Sequence, residues 1–295
     1  MGYLFLAISL FAGATKGFCG KKMSLVATNT TGAALLNFVR MILCVILGIF
    51  LIIIQNHMKF FSFSQNVILI SALSGITTSV FVVTWLICVK YSAYMMMNVF
   101  LMLGTLAPML LCKMVFNETI RLNQWIGFII LVAATLIMVS YNNNIKAKLS
   151  ASSIVLLTIC GISNGLTSFS QKAFVKLLPQ TPISIFNFYT YLFAATTLII
   201  FIVFMYKKEK PDFAEGSNSK FFYVIIMAIA LTANTYFHTL AAGYLDSAIL
   251  YPLSNGASLI VSSFMSAVFF KEKLSAKAII GIIITFAGLL IMNVL

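Results

Sequence analysis

The sequence predicts an all-α integral membrane protein with about ten transmembrane helices in two inverted five-helix repeats. Composition, segment length and an internal repeat support this prediction. Of the 295 residues, 61% are hydrophobic and 8% are charged, which leaves too little polar surface to cover a water-soluble globule of this length. The chain is therefore expected to fold in a lipid bilayer.

Long apolar segments follow one another along almost the whole chain. A helix needs roughly 20 apolar residues to cross a bilayer core of about 30 Å, and the alternation typical of a membrane β-barrel is absent. The first segment lacks a basic stretch before it and a cleavage site after it, so we interpret it as a retained helix rather than a signal peptide. The predicted spans are residues 2–20, 32–54, 64–88, 92–114, 123–141, 152–173, 183–206, 220–243, 247–270 and 275–294.

An internal repeat relates two distant parts of the sequence. Residues Phe116 to Met138 reappear in altered form from Phe270 to Met292, at a constant offset of 154 residues. Glu118 thereby matches Glu272. Self-similarity of this kind in a hydrophobic chain is typical of transporters made of two related halves. The sequence therefore predicts a substrate site where the halves meet.

The boundary between the halves is predicted in a polar stretch from Asn142 to Ser152, at the midpoint of the chain. Residues 1–146 would form the first half and residues 147–295 the second. Because five crossings are an odd number, the second half must enter the membrane from the opposite side. Inverted halves allow a site at their interface to open to each side in turn.

The chain shows no pattern typical of an enzyme. Its five cysteines occur singly, its two histidines form no metal or nucleophile motif, and no glycine-rich phosphate loop follows a strand. We therefore predict that the protein is not an enzyme and uses no cofactor and no metal. The net charge of +13 is explained by loops beside anionic lipid headgroups, without nucleic-acid binding.

The end of each half resembles the half-unit of EamA-type members of the drug/metabolite transporter superfamily. In the first half the pattern is Pro108, Glu118, Leu122 and Gly127, followed by an apolar helix. Serine replaces the frequent proline of the family in the second copy. That copy consists of Ser262, Glu272, Leu274, Gly281 and Gly288.

The front of each half supports the same resemblance. Residues 13–21 are similar to the family's helix-one pattern and Arg40 to its helix-two pattern, although alanine stands where tryptophan is common. Residues 161–172 echo this stretch, so that Lys172 matches Lys21 at an offset of 151. The resemblance implies a ten-helix carrier of small metabolites, commonly an exporter.

The distribution of charge indicates which substrates the chain would accept. None of its six acidic residues lies at the centre of a predicted span, whereas a carrier of organic cations generally needs a buried carboxylate. Lys16 and Arg40 lie inside predicted helices, where a charge costs roughly 2.5–3.5 kcal/mol and usually faces a cavity or a partner. Unless they snorkel to the interface, they would attract a carboxylate or a phosphate.

Polar and aromatic side chains complete the predicted substrate site. Several lie four residues apart on one helix face and should point inward. These pairs are Asn164 and Ser168, Asn187 and Tyr191, Asn234 and His238, and Tyr251 and Asn255. Hydrogen bonding between helices is the alternative for the amides, and a position at the membrane interface is the alternative for the aromatic residues. The predicted substrate-binding residues are Lys16, Asn37, Arg40, Trp85, Asn164, Asn187, Tyr191, Asn234, His238, Tyr251 and Asn255.

His238 has a second predicted role, and three other residues are predicted to allow gating. A histidine titrates near neutral pH, so His238 is a candidate carrier of a coupling proton, the alternative being a neutral hydrogen-bonded ring. Pro108 cannot donate to the carbonyl of Gly104, which weakens the fourth helix, and Pro252 has the same effect in the ninth. We expect bends at these positions.

Two indicators disagree on the orientation of the chain. Loops on the side of the termini carry five basic residues and loops on the other side carry twelve. The positive-inside rule therefore puts the termini outside the cytoplasm, whereas the family resemblance implies cytoplasmic termini. Both orientations remain open.

These observations predict a secondary transporter, expected to be an exporter, that spans the cytoplasmic membrane several times. It would move small polar metabolites, such as amino acids or related organic anions or zwitterions, by alternating access. Its partners would be the substrate, the lipid bilayer and a coupling proton, and it would act as a monomer or homodimer. The alternatives are a flippase for an anionic lipid-linked sugar and a membrane scaffold or sensor that transports nothing.

Overall fold

The structure is a computed structural model that describes residues 1–61, 64–91, 94–140, 151–214, 221–269 and 276–294. These residues form eleven α-helices, and a 3₁₀ turn at Met58–Phe60 lies between the second and the third. The helices are α1 (Gly2–Met23), α2 (Thr30–Ile54), α3 (Gln65–Tyr91), α4 (Tyr94–Gly104), α5 (Leu106–Phe116), α6 (Leu122–Ser140), α7 (Ala151–Leu177), α8 (Ile183–Tyr206), α9 (Phe222–Tyr244), α10 (Ser247–Phe269) and α11 (Ala276–Val294).

The helices confirm the predicted all-α membrane fold. Each predicted span coincides with one helix, except that α4 and α5 together form the fourth span. Six helices, namely α1, α2, α3, α7, α8 and α9, contain stretches long and apolar enough to cross a membrane. Shorter apolar helical stretches occur at residues 100–116, 122–137, 247–261 and 279–292. The predicted boundary at residues 146 and 147 lies outside the described residues.

The outer faces of the helices are apolar. Ile46, Phe50 and Ile53 on α2 are exposed, as are Ile200 and Val203 on α8. A soluble monomer rarely exposes a continuous apolar surface of this kind, but hydrocarbon chains solvate it well. Lipid is therefore the solvent to which the fold is adapted.

Each main packed pair of helices has an equivalent pair that is formed by the counterpart helices of the other half. Counterparts in the two halves are α1 and α7, α2 and α8, α3 and α9, α4–α5 and α10, and α6 and α11. The helix α1 packs along α9, and the counterpart pair α7 and α3 packs in the same way. The helix α2 packs on its own counterpart α8, and α6 packs on α11. Two structurally equivalent halves explain this pairing.

Counterpart helices run antiparallel, as inverted halves require. The Asn123 side chain, at the start of α6, donates to the carbonyl of Ile291 near the end of α11 at 3.4 Å. One to two turns further along α6, Gly127 and Leu131 lie against Gly288. Positions further along α6 therefore contact positions nearer the start of α11. The two helices cross the membrane in opposite directions.

The break between α4 and α5 falls near the predicted bend. The helix is interrupted at Thr105, three residues before Pro108. A Cβ atom added to Gly165 on α7 would lie 2.4 Å from the carbonyl oxygen of Gly104, and one added to Gly104 would lie 2.3 Å from the carbonyl oxygen of Gly161. Glycine is required at this crossing because any side chain would push α4 away from α7. By contrast, α10 continues through Pro252.

A clasp of loop residues joins the halves at one membrane face. Ala27, between α1 and α2, pairs with Phe213, between α8 and α9, as an isolated antiparallel bridge. The Thr28 side chain donates to the carboxylate of Asp212. Asn29 caps α2 by accepting from the backbone N–H of Gly32 at 2.8 Å. The face carrying this clasp is called the clasp face, and the face carrying Met1 is called the terminal face.

Candidate substrate cavity

A central cavity of about 190 Å³ lies between the two halves. Helices α1, α3 and α4 line it from the first half, and α7, α8, α9 and α10 line it from the second. Its lining extends from Lys21, near the clasp-face end of α1, to Gln171, near the terminal-face end of α7. The cavity thus reaches through much of the membrane thickness.

Most of the predicted substrate residues come together around this cavity. Three predicted pairs at a spacing of four residues face it, on α7, α9 and α10. Both members of the α7 pair, Asn164 and Ser168, contribute to the lining. The predicted residues that line the cavity are Lys16, Trp85, Asn164, Tyr191, Asn234, His238, Tyr251 and Asn255.

Lys16 gives the first-half wall a positive charge. Its Nζ atom donates to Oδ1 of Asn234 over 3.4 Å, at the long end of the hydrogen-bond range. The Asn234 Nδ2 atom donates to the carbonyl and the hydroxyl oxygen of Ser9 at 2.8 and 2.9 Å. Asn234 thus fastens α9 to α1 while it presents an oxygen to the lysine. No carboxylate belongs to the described cavity lining.

Arg40 lies behind the cavity wall and is only 4% exposed. Its Nε atom has no hydrogen-bond partner. The guanidinium interacts electrostatically with Tyr191, which lines the cavity, and with Lys16. Burial this deep excludes the alternative that Arg40 snorkels to the interface.

His238 and Tyr251 form the terminal-face end of the cavity. The two rings stack with centroids 6.2 Å apart. His238 Nδ1 lies 2.8 Å from Oε1 of Gln171, which can only accept, so the ring donates from Nδ1. The Tyr251 hydroxyl donates to the carbonyl of Ser168 at 2.9 Å. These bonds hold the floor of the cavity in place.

Apolar side chains cover part of the first-half wall. Trp85, Phe18 and Phe81 line the cavity with Met97 and Leu101. The Trp85 ring lies against Gly20, where an added Cβ would come within 2.6 Å of it. This wall offers rings and aliphatic groups against which an apolar part of a ligand can pack.

Three predicted substrate residues lie outside the cavity lining. Asn37 donates to the carbonyls of Ala33 at 2.9 Å and Val82 at 3.2 Å, so it fastens α2 to α3. Asn187 is completely buried, and neither polar atom of its amide has a hydrogen-bond partner. Arg40 also lies outside the lining. The alternative of hydrogen bonding between helices fits Asn37 well.

Other lining residues were absent from the sequence-based prediction. Gln171 orients His238 but precedes Lys172 near a helix end, where an amide is ordinarily a surface residue. Short hydroxyl side chains also face the cavity, and their helical spacing from Tyr251 and Asn255 could have identified two of them, Ser254 and Ser258. The hydroxyl residues in the lining that were absent from the prediction, besides the tyrosines, are Thr78, Thr167, Thr190, Thr235, Ser254 and Ser258.

An ion-paired cluster lies beyond the floor of the cavity, at the terminal face. Lys172 is 2% exposed, and its Nζ atom lies 3.1 Å from Oε1 of Glu118. The same ammonium donates to the carbonyls of Ala242 at 2.9 Å and Leu245 at 2.6 Å. The Ser247 backbone N–H donates to Oε2 of Glu118 at 2.8 Å. The cluster joins the loop after α5 to α7 and to the turn between α9 and α10.

The cluster keeps Glu118 ionised. Burial alone would raise the pKa of this carboxyl, but hydrogen bonds from Ser247 and the charge of Lys172 outweigh it, so the pKa lies below its ordinary value of 4.5. Lys176 adds a weaker ion pair at 3.8 Å from a side chain that is 44% exposed. Glu118 also lies within electrostatic range of Tyr251 in the cavity floor. Its sequence counterpart, Glu272, lies outside the described residues.

Comparisons with known proteins agree with this architecture. The model of the EamA-like transporter family matches residues 151–294. A protein of known crystal structure superposes with a TM-score of 0.76, over 99% of this chain and 96% of its own, at 13% identity. At that identity the likeness shows the fold alone. No curated protein matches the sequence.

Proposed function

Residues 151–294 of this chain belong to the EamA-like transporter family, and on this premise we propose that the protein is a secondary carrier of small polar metabolites. It exports amino acids or related organic anions or zwitterions across the cytoplasmic membrane by alternating access. The observation that carries this proposal is the central cavity between antiparallel counterpart helices. A site at that interface draws on both halves, as inverted-repeat carriers require.

The size of the cavity supports a small substrate. Pockets for drug-sized ligands measure about 300–1,000 Å³, whereas this cavity measures about 190 Å³. A metabolite as small as an amino acid suits such a volume better than a lipid-linked sugar does. The amides and hydroxyls of the second-half wall supply hydrogen bonds that a polar metabolite needs after it leaves water.

The cluster around Glu118 supports alternating access because it closes the terminal face beneath the cavity floor. It bonds the first half, through Glu118, to two separate elements of the second half, α7 and the turn before α10. Separating these elements at the terminal face would break the bonds of the cluster. We therefore assign the Glu118–Lys172 pair to closure of that face, and the Thr105 break beside Pro108 to the movement that opens it.

The substrate site is tested by two matched asparagines. Asn255 lines the cavity, whereas Asn37 fastens α2 to α3. Once a ligand is found by a thermal-shift screen of the purified protein, Asn255→Ala should weaken binding roughly tenfold, equivalent to about 1.4 kcal/mol. Asn37→Ala should lower the melting temperature and leave the affinity of the folded protein unchanged. Equal affinities for the parent and Asn255→Ala would show that the substrate does not bind at this wall.

A further inference from the structure

The cavity contains a positive charge whose counter-charge is missing from the described lining. Lys16 reaches the cavity, and its hydrogen bond within the described part of the chain is the long one to Asn234. An amide oxygen carries only a partial charge and cannot neutralise an ammonium group. A buried charge without an opposite charge is costly. An anion in the cavity would remove that cost.

Arg40 adds a second positive charge close to Lys16. It is 96% buried, since its exposure is 4%, and its Nε atom lacks a hydrogen-bond partner. No ion pair connects it to a carboxylate among the described residues. It lies close enough to Lys16 for the two cations to repel each other. Lys16 lies on α1 and Arg40 lies on α2. Because both helices belong to the first half, the positive electrostatic potentials of the two side chains add on that side of the cavity.

Tyr191 provides a neutral donor beside the two cations. Its side chain is completely buried and lines the cavity, and its hydroxyl lies near the hydroxyls of Thr232 and Thr235. It interacts electrostatically with Arg40. A hydroxyl can turn its hydrogen toward an anion. Lys16 and Tyr191 in the lining, with Arg40 behind them, therefore place two positive charges and a hydroxyl donor at one part of the cavity wall.

We propose that Lys16 and Tyr191, with the positive charge of Arg40 behind them, form an anion subsite that holds the carboxylate or phosphate group of the substrate. This inference rests on the proposed function and narrows it, because the substrate is then a net anion rather than an amino-acid zwitterion. A free ammonium group in the cavity meets Lys16, with Arg40 close behind it, and finds no carboxylate in the described lining, so it is repelled. The apolar part of the substrate packs on Trp85, and its neutral polar groups face Asn164 and Asn255.

Charge-assisted hydrogen bonds in a site with little water are stronger than those between neutral groups. The anionic group should therefore dominate recognition, and neutral groups of the substrate should refine it. Removing the Lys16 charge should weaken binding of an anion at least tenfold. A cation of the same shape should show no such loss, because it does not use the subsite.

The test compares ligands that share a skeleton and differ in charge. Melting of the purified full-length protein is measured with benzoate against benzylamine, phenylacetate against phenethylamine, and succinate against putrescine. Phenylalanine represents the zwitterions, and chloride and inorganic phosphate represent free anions. We expect at least one carboxylate to raise the melting temperature while its paired amine has no effect. Phenylalanine should bind more weakly than phenylacetate.

Two variants connect the binding to the subsite. Lys16→Gln should reduce the affinity for the stabilising carboxylate at least tenfold, whereas Lys59→Gln removes an exposed lysine outside the cavity and should bind like the parent. Arg40→Gln serves as a second probe if Lys16→Gln elutes abnormally from a size-exclusion column. A shift with chloride or phosphate and with no carboxylate would support the subsite and assign it to a free inorganic anion.

Other outcomes overturn the inference. Stabilisation by the amines as strong as by the carboxylates would do so, as would unchanged carboxylate affinity in both Lys16→Gln and Arg40→Gln. The absence of a shift with every anion would also overturn it. Failure of the proposed carrier function gives a different result: the carboxylate would bind in a Lys16-dependent manner but would not cross the membrane of liposomes that contain the protein.

Discussion

Two lysines within the helices, one in each half, have opposite surroundings. Lys172 has a carboxylate at 3.1 Å and two backbone carbonyls within 2.9 Å. Lys16 has an amide oxygen at 3.4 Å and faces a cavity whose described lining contains no carboxylate. Among the described residues, a carboxylate neutralises the first charge and none neutralises the second. A lysine that is compensated fastens the fold, whereas one that is not compensated can bind a ligand.

The two walls of the cavity also differ in the chemistry of their side chains. At an offset of 151 residues, Gly13 and Gly17 correspond to Asn164 and Ser168, and at an offset of 154 residues, Leu101 corresponds to Asn255. The first half thus contributes mainly small, apolar and basic groups, while the second contributes most of the neutral polar groups. The helix packing is symmetric, but the chemistry of the site is not. Such a cavity can orient a substrate that has one charged end.

Lys172→Gln should produce the largest change in stability. It leaves Glu118 as a buried carboxylate without its nearest cation, and breaking a buried ion pair from one side costs about 3–5 kcal/mol. The free energy of unfolding should fall by that amount in a reversible denaturant titration in detergent. The same substitution at exposed Lys59 should change it by less than about 0.5 kcal/mol. Equal effects of the two substitutions would contradict the assigned fastening role.

Acidification should weaken the Glu118 cluster specifically. Because the pKa of Glu118 in the folded protein lies below the ordinary value of 4.5, its contribution to stability is complete above that value and is lost as the pH falls through the folded pKa. The melting temperature of the parent should therefore drop below pH 4.5. The side chain of Glu118→Gln does not titrate in this pH range. This variant should have a lower melting temperature than the parent at neutral pH, and its melting temperature should fall less on acidification. Parallel pH profiles for the two proteins would exclude this residue as the source.

Lys16→Gln should leave stability unchanged or raise it by about 1 kcal/mol. The substitution removes a half-buried charge that has no carboxylate partner among the described residues, so the folded state loses little and avoids part of a desolvation cost. The measurement is the same denaturant titration in the absence of added anions. A loss comparable to that of Lys172→Gln would show that Lys16 is compensated after all, and the contrast between the two lysines would disappear.

Lys176→Gln should have the smallest effect. Its ammonium lies 3.8 Å from Glu118 and its side chain is 44% exposed, so solvent screens the interaction to about 0–1 kcal/mol. The melting temperature at low salt should fall slightly, and added salt should abolish the difference from the parent. A large loss that persists at high salt would mean that Lys176 takes over part of the role of Lys172.

The sequence predicted the helices well because the bilayer fixes their length and their polarity. It also predicted that Asn164, Tyr251 and Asn255 share a site, since polar groups within a span must avoid lipid. It did not predict the burial of Glu118, which was interpreted as a loop residue. That burial depends on Lys172 and Ser247, which lie far away along the chain. Contacts of this kind follow from tertiary packing, which no local pattern encodes.

For Asn37 the sequence predicted the burial of the side chain but not its role. Its position within a span predicted an inward-facing amide, and the side chain is indeed buried. Whether a buried amide binds a substrate or fastens two helices depends on which carbonyl is near it, and for Asn37 that is the carbonyl of Val82. Side-chain type and helical spacing do not distinguish these cases. The distinction requires the neighbouring helix.

The most direct test is transport of a small carboxylate into liposomes that contain the purified protein. The labelled anion is the one that raises the melting temperature most, and its uptake is compared for the parent, Lys16→Gln and Lys59→Gln. We expect saturable uptake by the parent and Lys59→Gln, and at least tenfold slower uptake by Lys16→Gln at low substrate concentration. Uptake by Lys16→Gln at the parent rate, or equal transport of the paired amine, would contradict the account.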